Sequence, residues 1–303
     1  MQGGSGLVVS VDSLMREAFA DQCTDGGAGL RLVHRLDKDT TGLLLVAKHA
    51  DAAAWLGQAF RGSTGGGSSH GNAAANPRRS SDGGDGGSRS GSGTGSQGRG
   101  EVGPWVQKQY WAVLDCRGSA SAARLPPSGV INLPVAARSG TGAAAATAAA
   151  AAASGGGGGG GAVGQGPGLL PALSRYRARA QNEGLAWLQL DPATGRKHQL
   201  RIHCAQGLGA PILGDGKYGP GRYGPTSRHA PTHLAAQHAL WRELRPGLPG
   251  VEELPLFLHC RALAVCRPGE RLPLQLVAPL PEPWRVLLDL IGWPLPGDSR
   301  GDG

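Results

Sequence analysis

Apolar residues of the 303-residue chain cluster in short segments, and their spacing predicts the secondary structure. Residues 42–48 (GLLLVAK) form an apolar run between a glycine and a charge, which predicts a buried strand. Residues 51–60 begin with a helix-capping aspartate and carry Trp55, Leu56 and Ala59 on one helical face, which predicts an amphipathic helix. A strand followed by a helix is therefore expected in the N-terminal part of the chain.

Alternating apolar and polar residues predict further strands, because successive side chains of a strand point to opposite faces. Two of these segments are joined by a polar turn and predict a β-hairpin. Pro134 indicates an edge strand or a strand end, since proline cannot donate to a ladder. The predicted strands are residues 108–114, 129–135, 176–180, 185–190 and 258–265.

Two helices are predicted in the C-terminal part. Thr194 is expected to cap a helix over residues 196–206, which Gly207 and Gly209 end. Residues 283–291 carry apolar side chains at i, i+3, i+4 and i+7 and predict a terminal amphipathic helix. Strands and helices mix without a steady βαβ rhythm. The sequence therefore predicts an α+β fold with a bent mixed or antiparallel sheet and flanking helices.

Two low-complexity tracts interrupt this pattern. Residues 62–103 are rich in Gly and Ser, and residues 139–168 are rich in Ala and Gly. Neither tract has enough apolar side chains to form a core, so both are expected to be disordered insertions. The rest of residues 1–303 is expected to form a single domain around one core.

Charge and cysteine content narrow the class of protein. Lys and Arg number 30 against 22 Asp and Glu, which gives a net charge of +8 and a pI near 9.7. This balance favours a polyanionic partner, although a mildly basic solvated surface gives the same numbers. The five cysteines form no CxxC pair, a pattern more typical of reduced thiols in an intracellular compartment than of disulfides or a zinc site.

Two polar segments concentrate side chains suited to chemistry. Residues 34–42 (HRLDKDTTG) put three cations and two carboxylates before the first predicted strand, where positive charge can keep a carboxylate ionised. Residues 194–203 (TGRKHQLRIH) put two cations beside the free N–H groups of a helix start, which suits an anion. Each segment alone also fits a simpler interpretation: a turn capped by Asp37 or Asp39, and a solvated basic helix start.

The predicted helix relates several residues of the second segment. Arg201 lies one helical turn after Lys197, so both are expected on one face, from which Arg201 can reach a carboxylate of another loop. His198 and His203 are five residues apart, a poor spacing for a shared metal, and no metal site is predicted.

Five strings point to one family when they are taken together. HRLDKDTTGLLLVAK, KQYWAVL, GVINLPV, TGRKHQLRIHCAQGLGAPILGDGKYG and LHCRALAV occur in this order and cover nearly all of the chain outside the tracts. In sequence and order they resemble the RNA pseudouridine synthases of the RluA type. The resemblance implies the pseudouridine synthase fold and isomerisation of uridine to pseudouridine in rRNA or tRNA.

The resemblance also implies roles for single residues. Asp37 matches the family's catalytic aspartate, Tyr110 matches the tyrosine that lies against the target uracil, and Arg201 matches the arginine that pairs with the aspartate. The positions expected to bind RNA or to line the pocket are Arg35, Arg196, Lys197, His198 and Leu258.

These residue types suit the implied reaction. The isomerisation breaks the N-glycosidic bond, turns the uracil and joins it through C5 to C1′. It has no net redox change, so no cofactor and no metal are expected. Asp37 is expected to act as a nucleophile at C1′ or as a base at C2′, and the sequence leaves both open. The target base has to leave its stack, a cost that basic side chains on the flanking phosphates can offset.

Further expectations concern the chain's partners and location. RNA is the expected partner, with no membrane, no obligatory protein partner and a monomeric state. Homopolymeric insertions indicate a nuclear-encoded eukaryotic protein. The start of the chain resembles organellar members of the family, so a mitochondrion or chloroplast is expected, although no transit peptide is visible. The family's opening strand has no counterpart before Gly3, so an N-terminally incomplete chain is expected. Arginines of the first tract offer contacts to RNA, but an inert insertion is the simpler interpretation.

Two other functions stay open. A non-catalytic RNA-binding or ribosome-assembly protein keeps the fold without the reaction, and the joint presence of Asp37, Tyr110 and Arg201 argues against it. A hydrolase with Asp37 and Asp39 as paired carboxylates is disfavoured, because side chains two residues apart need not converge on one bond.

Overall fold

The computed structural model describes residues 10–19, 30–62, 103–117, 124–136, 168–182, 184–219, 239–251 and 253–295. The predictions for the two low-complexity tracts fall outside these residues, apart from Gly62, Gly103 and Gly168 at the tract ends.

Short helices and mostly short strands make up the described parts of the chain. The α-helices with both ends in the described residues are α1 (Val11–Ala18), α2 (Ala50–Gly62), α3 (Gln199–Ile202) and α4 (Glu282–Leu290). The strands are β1 (Arg31–Leu32), β2 (Thr41–Gly42), β3 (Val46–Ala47), β4 (Trp105–Asp115), β5 (Ser128–Asn132), β6 (Val135–Ala136), β7 (Leu169–Leu170), β8 (Leu173–Gln181), β9 (Leu185–Pro192), β10 (Leu258–Cys266) and β11 (Leu274–Val277). Among the described helices, none has the length and apolar character needed to cross a membrane.

A mixed sheet in the order β11-β10-β4-β9-β8-β5 organises these elements. Neighbours along this order are antiparallel, whereas β2 pairs with β10 in parallel. Within the sheet, Tyr110 on β4 lies opposite Leu190 on β9 and Cys260 on β10. The predicted α+β fold with a mixed sheet is confirmed, and the long strand β4 carries Tyr110 in its middle.

Two helices cover the sheet by burying apolar faces. Helix α2 buries Leu56, Ala59 and Phe60 in a cluster that includes Val106 of β4. Helix α4 buries Trp284, Leu287 and Leu288 in the larger cluster around β4 and β9. Burying large apolar side chains contributes about 1.5–3 kcal/mol each, so these faces hold both helices on the sheet.

The longest amphipathic segments fold as predicted, whereas two predicted strands are divided. Helices α2 and α4, strands β4 and β10 and the β8–β9 hairpin all lie where the pattern predicts them. Residues 42–48 are not one strand, because the backbone turns at Gly42, whose φ is 109°. Strand β2 before the turn pairs with β10, and β3 after it pairs with β1. Residues 129–135 divide into β5 and β6 around Leu133 and Pro134.

The predicted helix over residues 196–206 is wrong in its start and its form. Helix α3 spans only Gln199–Ile202 and continues as a π-helical turn, His203–Gly207. Its N-cap is His198 in a left-handed conformation, not Thr194. The Thr194 hydroxyl instead accepts a hydrogen bond from the backbone N–H of Leu173 at 2.9 Å, so it ties the turn to β8 rather than capping the helix.

Candidate active site

The loop that contains Asp37 is fixed to the sheet at its C-terminal end. Gly42 runs so close to the Cys260 backbone that a side chain there has no space. The backbone N–H of Leu43 donates to the Cys260 carbonyl at 3.0 Å, and Thr41 Oγ1 lies 2.8 Å from His259 Nδ1. These contacts set the position of Asp37 relative to β10.

The other end of this loop is held by His34. Its Nε2 accepts a hydrogen bond from the backbone N–H of Leu45 at 2.8 Å, and its ring stacks on Phe60 of α2 at 4.5 Å. Burial, assisted by the charge of Lys108, lowers the pKa of His34 to about 4. The imidazole is therefore neutral at physiological pH and serves as a fixed acceptor.

The opposite wall is the turn before α3, which is tied to β8 by Gln199. Its amide group donates to the Leu173 carbonyl at 3.0 Å and to Ser174 Oγ at 2.9 Å. Its oxygen accepts from the Thr194 hydroxyl at 2.7 Å and from the Arg196 backbone at 3.0 Å. The side chains of Arg196 and Lys197 thus stand before the helix, and the predicted alignment of Lys197 with Arg201 on one helical face is wrong.

These two walls and the sheet enclose a cavity of about 480 Å³. Six of the residues predicted for the site line it: Arg35, Asp37, Tyr110, Arg196, Lys197 and Leu258. The remaining lining residues are Val33, His34, Leu36, Thr40, Gly57, Phe60, Arg61, Lys108, Pro192, Thr194, Gly195, Gln199 and Leu200. One carboxylate is thus surrounded by apolar side chains and several cations, in a space large enough for a nucleobase.

Asp37 is the acidic side chain of this lining, and its environment perturbs it. Burial raises its pKa above the ordinary value, while the positive charges of Arg201, Arg35 and Lys197 oppose that rise. A carboxylate with a raised pKa is a stronger base and nucleophile once it is ionised. The environment therefore suits both chemical roles considered for Asp37.

Arg201 binds a different carboxylate from the one predicted. Its Nε donates to Asp215 Oδ2 at 2.8 Å and its Nη2 donates to Asp215 Oδ1 at 2.6 Å, a bidentate pair buried from solvent. The predicted direct pairing of Arg201 with Asp37 is wrong, because the guanidinium fork is occupied by Asp215. Arg201 still acts on Asp37 through its charge, which opposes the rise in the pKa of that carboxyl.

Tyr110 presents a neutral phenol to the cavity. Burial, together with a hydrogen bond to the Cys260 thiol and the nearby charge of Asp37, raises its pKa well above the ordinary value. On the same strand, burial lowers the pKa of Lys108 to about 8. The sheet thus offers an aromatic face, a hydroxyl and an amine at one end of the cavity.

His198 lies beside Asp37, although it does not belong to the described lining of the cavity. Its Nε2 is 3.9 Å from Asp37 Oδ1, and its Nδ1 is 2.8 Å from the Tyr218 hydroxyl. Asp215 and Tyr218 were not predicted as site residues, although both stand in the GDGKYG string. Three glycines around an acid and an aromatic residue were the signal for an ordered turn.

Comparisons with known proteins identify similar RNA pseudouridine synthases. A family model described as RNA pseudouridylate synthase matches residues 6–64. RNA pseudouridine synthase 4, mitochondrial, of Arabidopsis thaliana is 32% identical over 72% of this chain and 36% of its own length. Pseudouridylate synthase RPUSD4, mitochondrial, of Xenopus tropicalis is 28% identical over 98% of this chain and 76% of its own length. The chain thus spans from about a third to three quarters of these relatives.

A solved structure supports the fold. Human RNA Pseudouridylate Synthase Domain Containing 4 superposes with a TM-score of 0.54 at 21% identity, over 95% of this chain and 85% of that one. The matched residues 6–64 include the loop of Asp37, which the structure places in the cavity. Residues 6–64 thus match the RNA pseudouridylate synthase family, and the chain is similar to named pseudouridine synthases over most of its length.

Proposed function

We propose that this chain is an isomerase that converts uridine to pseudouridine in RNA, with Asp37 acting at the sugar of the target nucleotide. The observation that carries the proposal is the position of Asp37: a partly buried carboxylate in a cavity with Tyr110 and Leu258 on its wall. The described residues on both sides of the low-complexity tracts act here as one catalytic domain.

The geometry supports a division of labour among the lining residues. A uridine flipped from its stack brings its base against the ring of Tyr110 and the apolar side chain of Leu258, while C1′ and C2′ face Asp37. The carboxylate attacks C1′ or removes a proton from C2′, which releases the uracil for rotation and attachment through C5. Arg35, Arg196 and Lys197 contact the flanking phosphates, and the charge of Arg201 stabilises ionised Asp37.

The relatives favour an organellar substrate. Two of the proteins that this chain resembles carry the word mitochondrial in their names. We therefore propose mitochondrial rRNA or tRNA as the substrate, with a chloroplast RNA as the alternative. Pseudouridine mapping of organellar RNA with and without the protein identifies the position.

The decisive experiment measures tritium release from RNA that contains 5-tritiated uridine, since the isomerisation exchanges the hydrogen at C5. Asp37→Asn is expected to abolish release while RNA affinity stays within a few-fold, because affinity comes mainly from phosphate contacts. Asp39→Asn is the matched control: Asp39 is exposed at φ 70°, a conformation that asparagine tolerates, and its release is expected to match the wild type.

Each alternative function has its own outcome. A non-catalytic RNA-binding protein binds RNA but releases no tritium in any form of the chain. A hydrolase that uses Asp37 and Asp39 together loses its hydrolytic activity equally in both variants. Substantial turnover by Asp37→Asn contradicts the assignment of Asp37.

A further inference from the structure

The ring of His198 stands between Tyr218 and Asp37. Its Nδ1 lies 2.8 Å from the Tyr218 hydroxyl, and its Nε2 lies 3.9 Å from Oδ1 of Asp37. The two rings meet edge to face, at 5.6 Å and 78°. A continuous line of polar atoms therefore connects the phenol of Tyr218 with the carboxylate of Asp37.

The neighbours of Nδ1 decide which ring nitrogen carries the proton. Nζ of Lys217 lies 3.5 Å from Nδ1, and a lysine ammonium has only N–H donors. An N–H on Nδ1 would face this cation, which favours Nδ1 as the acceptor nitrogen and the Tyr218 hydroxyl as its donor. Because a neutral imidazole carries one proton, that proton is on Nε2, the nitrogen that faces Asp37.

The surroundings keep this ring neutral. Burial lowers the pKa of His198 to about 4, and the positive charges of Arg201, Lys217 and Lys197 add to this effect, against the opposing charge of Asp215. At physiological pH the ring is therefore a neutral N–H donor towards Asp37 rather than a cation paired with it.

We propose that Tyr218 is a positioning residue for the reaction: its hydroxyl fixes the Nε2–H tautomer and the orientation of His198, which in turn donates a hydrogen bond to Oδ1 of Asp37. This inference rests on the proposed function, since it assigns the support of the same carboxylate. The Nε2–Oδ1 separation of 3.9 Å is longer than a hydrogen bond. Catalytic contacts are often long in the free enzyme and tighten in the complex with substrate, and this contact is expected to close when RNA binds.

Asp215 fixes the relative positions of the residues in this network. Besides its pair with Arg201, its Oδ1 accepts the backbone N–H groups of Lys217 and Tyr218, each at 2.9 Å. The same carboxylate thus fixes the turn that carries Tyr218 and the arginine whose charge reaches Asp37. His198 itself sits at φ 55°, a conformation that non-glycine residues seldom adopt, which shows that local contacts fix its backbone.

A donor at Oδ1 has two consequences for Asp37. It stabilises the ionised form against the burial that raises its pKa, in addition to the charges of Arg201, Arg35 and Lys197 and against that of Asp215. It also fixes the rotation of the carboxyl group, so that Oδ2 remains available to the sugar. Loss of the donor is therefore expected to affect turnover and its pH dependence rather than RNA binding.

The first test reads the tautomer directly and needs no RNA. In the full chain, ¹⁵N NMR of the imidazole groups is expected to show His198 with a protonated Nε2 and an unprotonated Nδ1. Tyr218→Phe is expected to give a mixture of tautomers. An Nδ1–H tautomer in the wild type overturns the inference, whatever the activity of the chain.

The second test measures kcat, KM and the acid limb of the pH profile by tritium release. Tyr218→Phe is expected to lower kcat about tenfold, the rate equivalent of one hydrogen bond. KM is expected to stay within about twofold, and the acid limb is expected to move up by about one pH unit. Tyr176→Phe is the matched control, since Tyr176 is a buried tyrosine of β8 outside the cavity lining.

A double-mutant cycle separates positioning from a structural role. The side-chain amide of His198→Gln supplies an N–H donor that has no tautomer to fix, so it is expected to retain part of the activity that His198→Ala loses. In the His198→Gln background, Tyr218→Phe is expected to cost less than about twofold. Equal effects of Tyr218→Phe in both backgrounds, or a raised KM with an unmoved acid limb, overturn the inference. Absence of tritium release in the wild type contradicts the proposed function instead, and the NMR result then decides on the tautomer.

Discussion

A single carboxylate, Asp215, illustrates how a residue can serve the site without lining the cavity. It is buried, and it binds the guanidinium fork of Arg201 through both oxygens. Its remaining acceptor capacity goes to the backbone of the turn at Lys217 and Tyr218. Arg201 can therefore be buried near Asp37 as a paired cation, which avoids the large cost of an isolated buried charge.

Asp215→Asn is expected to destabilise the protein strongly. The amide cannot neutralise Arg201, so a buried guanidinium loses its partner, a change that costs about 3–5 kcal/mol. Urea denaturation followed by tryptophan fluorescence measures the free energy of unfolding. The contrast is Glu270→Gln, which removes an exposed pair at 3.6 Å with Arg267 and is expected to cost about 0–1 kcal/mol. Similar losses in both variants would show that the Arg201–Asp215 pair has no special role.

At the scale of elements, the site depends on the approach of β2 to β10. Gly42 has a φ of 109°, and a Cβ at this position would clash with the Cys260 backbone. Only glycine satisfies both conditions. The parallel register of His259 with Thr41 and of Cys260 with Gly42 then fixes where the Asp37 loop leaves the sheet. A glycine thus allows the close approach of β2 to β10 that positions the Asp37 loop on the cavity wall.

Gly42→Ala is expected to lose both stability and activity. The backbone strain alone costs about 1–3 kcal/mol, and the clash with Cys260 additionally separates β2 from β10. Gly269→Ala is the control, because Gly269 also has a positive φ, 76°, but has open space where a Cβ would lie. Urea denaturation and tritium release of both variants are compared. If Gly42→Ala keeps the wild-type turnover, the β2–β10 contact does not position Asp37.

The helices and strands differ in how well the sequence predicts them. Helices α2 and α4 were predictable because each buries one amphipathic face along several turns, and strand β4 because its apolar residues form a continuous segment. Helix α3 was not, because its start is determined by distant partners: Thr194 is used by Leu173 of β8 and cannot cap the helix. Helix α1 was missed, although Ser10 and Ser13 form a reciprocal capping box at its start.

The site shows the same division between local and distant information. The motif strings identified Asp37, Tyr110 and Leu258, and these residues line one cavity. The partner of Arg201 could not be read from spacing, because Asp37 and Asp215 both come from other loops and only the folded chain decides which one reaches the guanidinium fork. The motif strings also named His198, but its left-handed backbone is a feature that propensity does not predict.

For the molecule as a whole, the burial of neutral histidines makes the stability of the folded state sensitive to acid. Burial is the largest cause that lowers the pKa of His34, His198, His203 and His259 to about 4 each. In the unfolded chain their pKa is near the ordinary value of 6.5. Between these values the unfolded state binds more protons than the folded state, so stability decreases as the pH falls from 6.5 to 4.

The pH dependence can be tested at His203, which is fully buried and donates from Nε2 to the Leu133 carbonyl at 2.9 Å. Within the described residues its Nδ1 has no hydrogen-bond partner, so protonation there creates a buried charge without compensation. Between pH 7.5 and 5.0 this histidine is expected to account for up to about 2 kcal/mol of lost stability. His203→Gln keeps an N–H donor but does not titrate, so the difference in unfolding free energy between the two pH values is expected to shrink by that amount.

Asp37, whose pKa is raised, contributes in the opposite direction and is unchanged in this comparison. His49→Gln, at an exposed position before α2, is the control for the substitution itself. An equal loss of stability in the wild type and His203→Gln on acidification would assign the sensitivity to other groups.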